Sequence, residues 1–340
     1  MMSSALWFGL SVVACCSFAG PVGRLLGVID RPDGSRKTHA RPTPLVGGIA
    51  LMVPLVVVAL AEAIWREQGA GIFTSLALCG LGFLTLGWYD DRHHAPPVSR
   101  LIIASGLFGA LLLLQPELVL TELDLDPSIP VVPLLFLAFP FTLLCLVGLQ
   151  NAINMVDGLN GLLIGLTIFW IICLQLYAPP DLSLFLTFFL LGLAILLPFN
   201  LANRLFLGDA GSYSIGAMVG IMMIYVWQQA NGALPMLTIV LWLSVPVIDC
   251  LRVMGTRLWR ANSPLLADRN HLHHRLARHW PWPICLVIYL GLATTPGLVA
   301  ALDPSLTLPM LALVMAAYST VIWVTRARGA TGTERSPTLI

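Results

Sequence analysis

The chain has 340 residues, of which 58% are hydrophobic and only 10% are charged, and its mean hydropathy is +0.87. About a quarter of the residues of an ordinary soluble domain are charged, so this composition excludes one and indicates a membrane protein. The net charge of +1, without a run of Lys and Arg, gives no indication of nucleic-acid binding. The seven cysteines lie in or beside apolar segments and lack the spacing of a metal site or a disulfide framework.

Apolar segments of about 20 residues, long enough to cross a bilayer, recur along the whole chain. They predict an all-α, polytopic membrane protein of about eleven transmembrane helices, in a single domain over residues 1–325 with a short disordered tail over 326–340. The first segment lacks the basic region that precedes the apolar run of a secretory signal, so we expect it to be a helix. The predicted spans are 4–20, 44–64, 71–89, 101–115, 131–150, 159–178, 182–198, 212–229, 233–252, 282–300 and 308–325. The predicted cytoplasmic loops are 24–43, 90–100, 151–158, 199–211 and 253–281.

The basic residues predict the orientation, because loops rich in Lys and Arg remain in the cytoplasm. When the loops are assigned alternately to two sides, seventeen of the eighteen basic residues fall on one side and only Arg66 on the other. This predicts an outer N-terminus and a cytoplasmic C-terminus. All seven histidines share the basic side, and so do eight aspartates, namely Asp30, Asp33, Asp90, Asp91, Asp157, Asp209, Asp249 and Asp268. Avoidance of the bilayer does not explain why the outer loops lack histidine, so we predict a functional site on the cytoplasmic face.

The first cytoplasmic segment, DRPDGSRKTHARPTPLVGG, contains a cationic cluster that includes Arg36, Lys37 and His39. Such a cluster is suited to phosphate, and Gly47 and Gly48 allow the backbone to approach a bound group closely. The alternative is a positive loop that only sets the orientation of the chain.

The second segment, GWYDDRHH, places Asp90 and Asp91 at the inner end of a span. Adjacent residues of a helix point about 100° apart, so both carboxylates can serve one site only where the helix ends. Two acids at a membrane boundary are costly unless they are paired, hydrated or bound to a cation, and the hard cation that suits them is Mg²⁺. A solvated pair of charges at the helix end is the alternative.

The third segment, NAINMVDGLNGLLIG, places Asn151, Asn154, Asp157 and Asn160 at intervals of three. This spacing predicts that they lie along one face of a helix, while the nearby glycines allow a ligand or a neighbouring helix to approach. The alternative is hydrogen bonding between helices.

The fourth segment, NLANRLFLGDAGSYSIG, places Asp209 between two glycines, and Ser212 is positioned to cap the helix that follows. The positive end of that helix favours an anion nearby. Asp209 is the strongest single candidate for a metal ligand.

The fifth segment, LLADRNHLHHRLARHW, contains four histidines in a polar loop that is rich in arginine. In a regular helix, His271 and His274 share one face and His273 points away, so the three cannot bind one metal ion. No zinc-binding spacing is present. Imidazole with arginine is suited to gripping phosphate oxygens and moving protons near neutral pH, which predicts a loop that binds an anion.

Taken in order, RKTHARPTPLVGG, DD, NAINMVDGLNGL, FLGDAGS and SPLLADRNHLHH resemble the motifs of the polyprenyl-phosphate N-acetylhexosamine-1-phosphate transferases, in glycosyltransferase family 4. The resemblance covers essentially residues 30–276. The HxHH form of the last motif is similar to that of bacterial members that use UDP-N-acetylglucosamine. The chain departs from the usual DGxDG pattern, since Asn160 stands at the second acid, which puts a charged role at this position in doubt.

The resemblance implies transfer of a sugar 1-phosphate from a UDP-sugar to undecaprenyl phosphate at the inner leaflet of the bacterial inner membrane, with release of UMP. This reaction would start the synthesis of a cell-envelope polysaccharide such as O antigen. The expected donor is UDP-N-acetylglucosamine, with another UDP-2-acetamido sugar as the alternative, and the expected cofactor is Mg²⁺, or Mn²⁺ in its place. A homodimer is an open possibility.

When the motifs of the family are matched to this chain, the resemblance implies that the catalytic residues are Asp90, Asp91, Asp157, Asp209 and His271. The four aspartates are the candidate metal ligands. Asp209 would be the principal ligand, and Asp90 would deprotonate or orient the lipid phosphate. The substrate-binding group is Arg36, Lys37, His39, Asn151, Asn154, Asn160, Asn203, Arg269, His273 and His274. We favour direct attack of the lipid phosphate over a covalent intermediate.

A transporter that relays cations or protons is the competing class. Transporter sites usually lie near the middle of the bilayer between structural repeats. Here the ionisable residues collect at one face and no repeat is visible, and Asp249 is the only candidate for a deeper charge.

Overall fold

The computed structural model describes residues 2–31, 42–66, 69–260, 263 and 270–330. Within these ranges the chain forms a helical bundle with two short antiparallel hairpins. The α-helices are α1 Met2–Ser17, α2 Ala19–Leu26, α3 Gly47–Trp65, α4 Ala70–His93, α5 Pro97–Leu114, α6 Ala138–Val156, α7 Leu162–Tyr177, α8 Pro180–Leu201, α9 Gly208–Gln229, α10 Met236–Trp259, α11 Leu272–Ala277, α12 Trp282–Leu302 and α13 Thr307–Ala330. The strands are β1 Ile29–Asp30, β2 Thr43–Pro44, β3 Glu122–Leu123 and β4 Val132–Pro133, paired as β1–β2 and β3–β4.

Nine helices in the described ranges are long and apolar enough to cross a membrane, and α1 with α2, bent by 73°, forms a tenth candidate. The helix α7, at 16 residues, is shorter than the roughly 20 that a bilayer requires. Every predicted span therefore contains a helix, which confirms an all-α polytopic membrane protein. The full count of eleven spans stays a prediction. Helices are the expected outcome because backbone groups in lipid must be satisfied within the segment.

The helix α9 lies at the centre of the bundle and packs against α3, α4, α6 and α7. Of its 18-residue apolar stretch, 89% is buried inside the protein. Small residues make this packing possible. A Cβ atom at Gly48 of α3 would overlap the backbone of Gly211, and one at Gly87 of α4 would overlap the backbone of Asp209 and Ala210. This backbone approach places the start of α3 and the end of α4 beside the start of α9.

The loops at this end of the bundle are tied together by backbone hydrogen bonds. The amides of Gly47 and Gly48 donate to the carbonyls of Phe206 and Leu207, each at 2.9 Å, and the amide of Phe206 donates to the carbonyl of Pro44 at 3.0 Å. The two glycines thus approach the chain that precedes α9. We call this end of the bundle, where α3 and α9 begin and α4, α6 and α10 end, the motif face.

Several predicted boundaries are wrong, because helices continue past the point where the sequence turns polar. Asp90 and Asp91 lie in the last turns of α4, which runs to His93, and α10 runs to Trp259. The last helix reaches Ala330 and so includes the start of the predicted tail. Hydropathy marks where a helix leaves the bilayer, whereas intrahelical hydrogen bonds continue into the polar region.

Candidate active site

The described site residues converge on the motif face from α4, α6, α9 and α11 and from the connection between α6 and α7. Four of the predicted site residues lie outside the described ranges, namely Arg36, Lys37, His39 and Arg269. The predictions for these four therefore stay predictions.

Asp91 caps the N-terminus of α9 from the neighbouring helix. Its Oδ1 accepts the Asp209 amide at 2.9 Å and its Oδ2 accepts the Ala210 amide at 3.0 Å. The first amides of a helix have no intrahelical acceptor and carry the positive end of the helix dipole, so a carboxylate is a favourable partner. The expectation that Ser212 caps this helix is wrong, because α9 begins at Gly208. The Ser212 hydroxyl instead donates to Asn154 Oδ1 of α6 at 2.7 Å.

Asp90 is buried, with 2% of its surface exposed, and both of its carboxylate oxygens accept hydrogen bonds. Oδ2 accepts from Arg100 Nη1 at 2.7 Å and from the Tyr213 hydroxyl at 2.6 Å, while Oδ1 accepts the Ala95 amide at 2.9 Å. Sequence reasoning missed Tyr213 and treated Arg100 only as a charge that sets orientation. Asp90 and Asp91 thus point to different partners, as expected for adjacent helical residues.

The four aspartates predicted to bind metal form one electrostatic group. The carboxyl of Asp209 lies against that of Asp90, and the charges of Asp90, Asp91 and Asp209 act on one another. Burial, together with the charge of Asp91, raises the pKa of Asp157 to about 7. Like charges this close are unfavourable unless a cation or protons neutralise them.

The donor chemistry of this group fits Mg²⁺, which prefers carboxylate oxygens. The arrangement is not a finished coordination sphere. Within the described part of the chain, no three His, Cys, Asp or Glu side chains are placed to hold a metal ion together. In this structure Asp90 and Asp91 use their oxygens on protein donors, so their roles as ligands stay predictions.

The predicted polar ladder is interrupted, since α6 ends at Val156 and only Asn151 and Asn154 lie on it. The chain turns through Gly161, whose φ of +79° is in the left-handed region, before α7 begins. As a result, Asn160 Nδ2 donates to Asn203 Oδ1 at 2.6 Å, so these two predicted substrate contacts bind each other.

The predicted orientation of the histidines is wrong, because His271 precedes α11 and has an extended backbone, with φ −61° and ψ 154°. Its ring therefore stacks on that of His273, with centroids 5.8 Å apart and planes 5° from parallel. A Cβ atom at Gly158 would overlap the His273 imidazole, so the glycine after Asp157 makes room for this ring. The third and fifth sequence segments therefore meet.

His273 is 1% exposed, and its Nδ1 is buried without a hydrogen-bond partner in the described part of the chain. Burial, and after it the neighbouring His274 and His271, lowers the pKa of His273 well below its usual value. Without a bound anion the ring is therefore neutral at pH 7, and it can bind a phosphate oxygen by donating a hydrogen bond.

Asp249, the candidate for a charge deeper in the membrane, also belongs to this site. Its Oδ2 lies 2.9 Å from His271 Nδ1, and its Oδ1 accepts from Arg252 at 2.8 Å. Asp249 is thus paired with Arg252 and bound to His271 rather than free to carry an ion, which removes the main support for an ion relay through the bilayer.

Comparison with known proteins agrees with these motifs. A family model described as glycosyl transferase family 4 matches residues 73–227. A relative from Yersinia pestis, named undecaprenyl-phosphate alpha-N-acetylglucosaminyl 1-phosphate transferase, is 30% identical over 292 residues, which cover 82% of this chain and 77% of the relative. A relative from Bacillus subtilis (strain 168), named a probable undecaprenyl-phosphate N-acetylglucosaminyl 1-phosphate transferase, is 28% identical over 259 residues, covering 74% of this chain and 70% of the relative.

A third relative, from Mycobacterium tuberculosis (strain ATCC 25618 / H37Rv), is named decaprenyl-phosphate N-acetylglucosaminephosphotransferase. It is 29% identical over 329 residues, which cover 83% of this chain and 78% of the relative. The matches extend over most of both chains in each case, and the family match includes the second, third and fourth sequence segments. The chain therefore belongs to glycosyltransferase family 4, as a member of the polyprenyl-phosphate N-acetylhexosamine-1-phosphate transferases.

Proposed function

We propose that this protein transfers N-acetylglucosamine 1-phosphate from UDP-N-acetylglucosamine to undecaprenyl phosphate and releases UMP. An oxygen of the lipid phosphate attacks the phosphorus that bears the sugar, and the bond from that phosphorus to the bridging oxygen of UMP breaks. The product is a lipid diphosphate sugar, the substrate for further glycosyl transfer in the envelope.

The observation that carries this proposal is the convergence of the carboxylate group, Arg100 and the histidines on one face of a membrane-spanning bundle. Joining two phosphates requires that their repulsion be neutralised, which positioned charges achieve without covalent help from the protein. The lipid phosphate is already largely anionic at neutral pH, since its second pKa is near about 6. Direct attack therefore needs little help from a general base. Asp90, which is held by Arg100 and Tyr213, then acts by orienting groups rather than by removing a proton.

We further propose that Mg²⁺ is the cofactor, held by Asp209 and Asp157, with Asp91 securing the helix that carries Asp209. The metal ion would supply charge neutralisation at the diphosphate. His273 would contribute a hydrogen bond, because its buried Nδ1 gains a partner when a polar substrate group arrives. Asn151, Asn154 and His274 remain candidate contacts to the nucleotide or the sugar.

The donor is tested by incubating purified protein with undecaprenyl phosphate, Mg²⁺ and one of a panel of UDP-sugars, and identifying the lipid product by mass. We expect a product from UDP-N-acetylglucosamine, with other UDP-2-acetamido sugars at least tenfold slower, and UMP released in equal amount. Omission of the lipid is the control for simple hydrolysis. A lipid product from a different sugar alone would correct the donor, and no lipid product from any donor would reject the transferase.

We propose eleven spans, an outer N-terminus and a cytoplasmic C-terminus in the bacterial inner membrane, which places the motif face in the cytoplasm. The asymmetry of seventeen basic residues to one supports this orientation.

In a cysteine-free background, Ser99→Cys and Ser263→Cys should resist a membrane-impermeant thiol reagent in intact cells, whereas Ser128→Cys should react. All three should react in opened membranes, which is the control for access. Labelling of Ser263→Cys in intact cells would contradict the orientation.

A further inference from the structure

Next to the histidines, at the start of α11, lies a buried polar network that the transfer reaction described above does not use. Asp249, on α10, is 1% exposed and accepts four hydrogen bonds. Oδ2 accepts from the His271 ring and from the Leu272 amide at 3.0 Å, and Oδ1 accepts from Arg252 and from the Tyr318 hydroxyl, each at 2.8 Å. Every lone pair of this carboxylate is thus engaged.

The network also determines where the histidine loop begins. Arg252 donates to the carbonyl of Asn270 at 2.6 Å and to the Tyr318 hydroxyl at 2.8 Å. The residue before His271 and the residue after it are therefore both bound to the Asp249–Arg252 pair. Hydrogen bonds to the remaining lone pairs and N–H groups offset the cost of burying an ion pair, and they are present here.

We propose that Asp249 is a positioning residue for the transfer reaction, which holds His271 by its Nδ1 and directs Nε2 toward the substrate. The two nitrogens of an imidazole face different directions, so the bond from Nδ1 to Asp249 turns Nε2 away from α10. A carboxylate at Nδ1 is a favourable acceptor for an N–H on that nitrogen, which leaves Nε2 as the nitrogen that can face the diphosphate. The stack on His273 fixes the remaining rotation of the ring.

This inference rests on the proposed function, and a double-mutant cycle tests it. We expect Asp249→Asn to lower kcat on the order of 30-fold, comparable to removing the partner of a functional histidine elsewhere, with both KM values within about threefold. In a His271→Ala background, the same change should lower kcat by less than about threefold, since Asp249 acts through the ring. Multiplication of the two single losses would overturn the proposal.

Tyr318→Phe is the matched control, because it removes a donor to the same carboxylate without touching His271. We expect its kcat to stay within about threefold of the unchanged protein. An equal loss in Tyr318→Phe and Asp249→Asn would mean that the network only stabilises the fold, and would overturn the positioning role.

Asp249→Asn leaves Arg252 without its charge partner and can fail to fold, so a second variant leaves the pair intact. In His271→Asn, the amide nitrogen replaces Nδ1 and still donates to Asp249, but nothing replaces Nε2. We expect this variant to be as inactive as His271→Ala while keeping its melting temperature. Activity within about threefold of normal would show that the contact only anchors α11. Absence of lipid product from the unchanged protein would instead reject the proposed function itself.

Discussion

Asp209→Asn is expected to lower turnover about 1,000-fold while leaving the fold intact. This loss corresponds to about 4.1 kcal/mol of transition-state stabilisation, the upper range for one strong electrostatic contact in an enzyme site. Asp209 is half-buried in the first turn of α9, and its carboxyl lies against that of Asp90. An amide keeps the size of the side chain but removes the negative charge that we propose binds Mg²⁺.

The stability of this variant distinguishes a lost metal ligand from a damaged fold. Removal of one charge from a group of like charges relieves their repulsion, so without Mg²⁺ the melting temperature should equal or exceed that of the unchanged protein. Added Mg²⁺ should raise the melting temperature of the unchanged protein but not that of Asp209→Asn, because binding to the folded state stabilises it. Both are measured by thermal unfolding in detergent over a series of Mg²⁺ concentrations.

Asp181→Asn is the matched control, since it is the same substitution at a carboxylate that pairs with Arg66 outside the motif face. Its turnover should stay within about twofold. If Asp209→Asn retained turnover within tenfold, or kept its stabilisation by Mg²⁺, then Asp209 would not be the principal ligand.

For the site residues that the structure describes, the sequence was sufficient to predict that the motifs lie at one end of the bundle, but not all the residues that meet there or the atoms they bind. Asp90, Asp157, Asp209 and His271 could be assigned to one face, because the alternation of apolar spans and polar loops determines the end of the bundle at which each motif lies. Hydropathy was therefore sufficient to predict most of the fold. The partners of these residues are far away in the chain, as with Asp91 and the Asp209 amide, and no local pattern reports such a contact.

The errors in prediction have a common cause, which is the assumption of regular helix through each motif. Three-residue spacing suggested a continuous face from Asn151 to Asn160, but a turn after Val156 redirects the last two residues. The same assumption placed His271 on a helix that begins one residue later. In the third segment, the signal for the turn was present in Gly158 and Gly161, which were interpreted only as sites of close approach.

Asp157→Asn and Asn160→Asp together determine where the charge of the third segment resides. Asp157 follows α6 directly and is electrostatically linked to Asp91, whereas Asn160 is bound to Asn203. We expect Asp157→Asn to lose at least about 100-fold in turnover, because it removes the only carboxylate of this segment. Asn160→Asp should stay within about tenfold, or about 1.4 kcal/mol, since the exposed amide of Asn203 can rotate to donate to the new carboxylate.

The raised pKa of Asp157 adds a pH dependence that Asp157→Asn should weaken and Asn160→Asp should keep. With a pKa of about 7, the carboxyl holds a proton below pH 7 that Mg²⁺ must displace. The apparent affinity for Mg²⁺ should therefore fall up to about tenfold per pH unit as the pH drops below 7, in the unchanged protein and in Asn160→Asp. In Asp157→Asn this dependence should become weaker but not vanish, since the other carboxylates of the group still bind protons, and Mg²⁺ titrations of turnover at pH 6, 7 and 8 measure it. If Asp157→Asn stays active with its pH dependence undiminished while Asn160→Asp is inactive, then Asp157 is a packing residue and does not bind the metal.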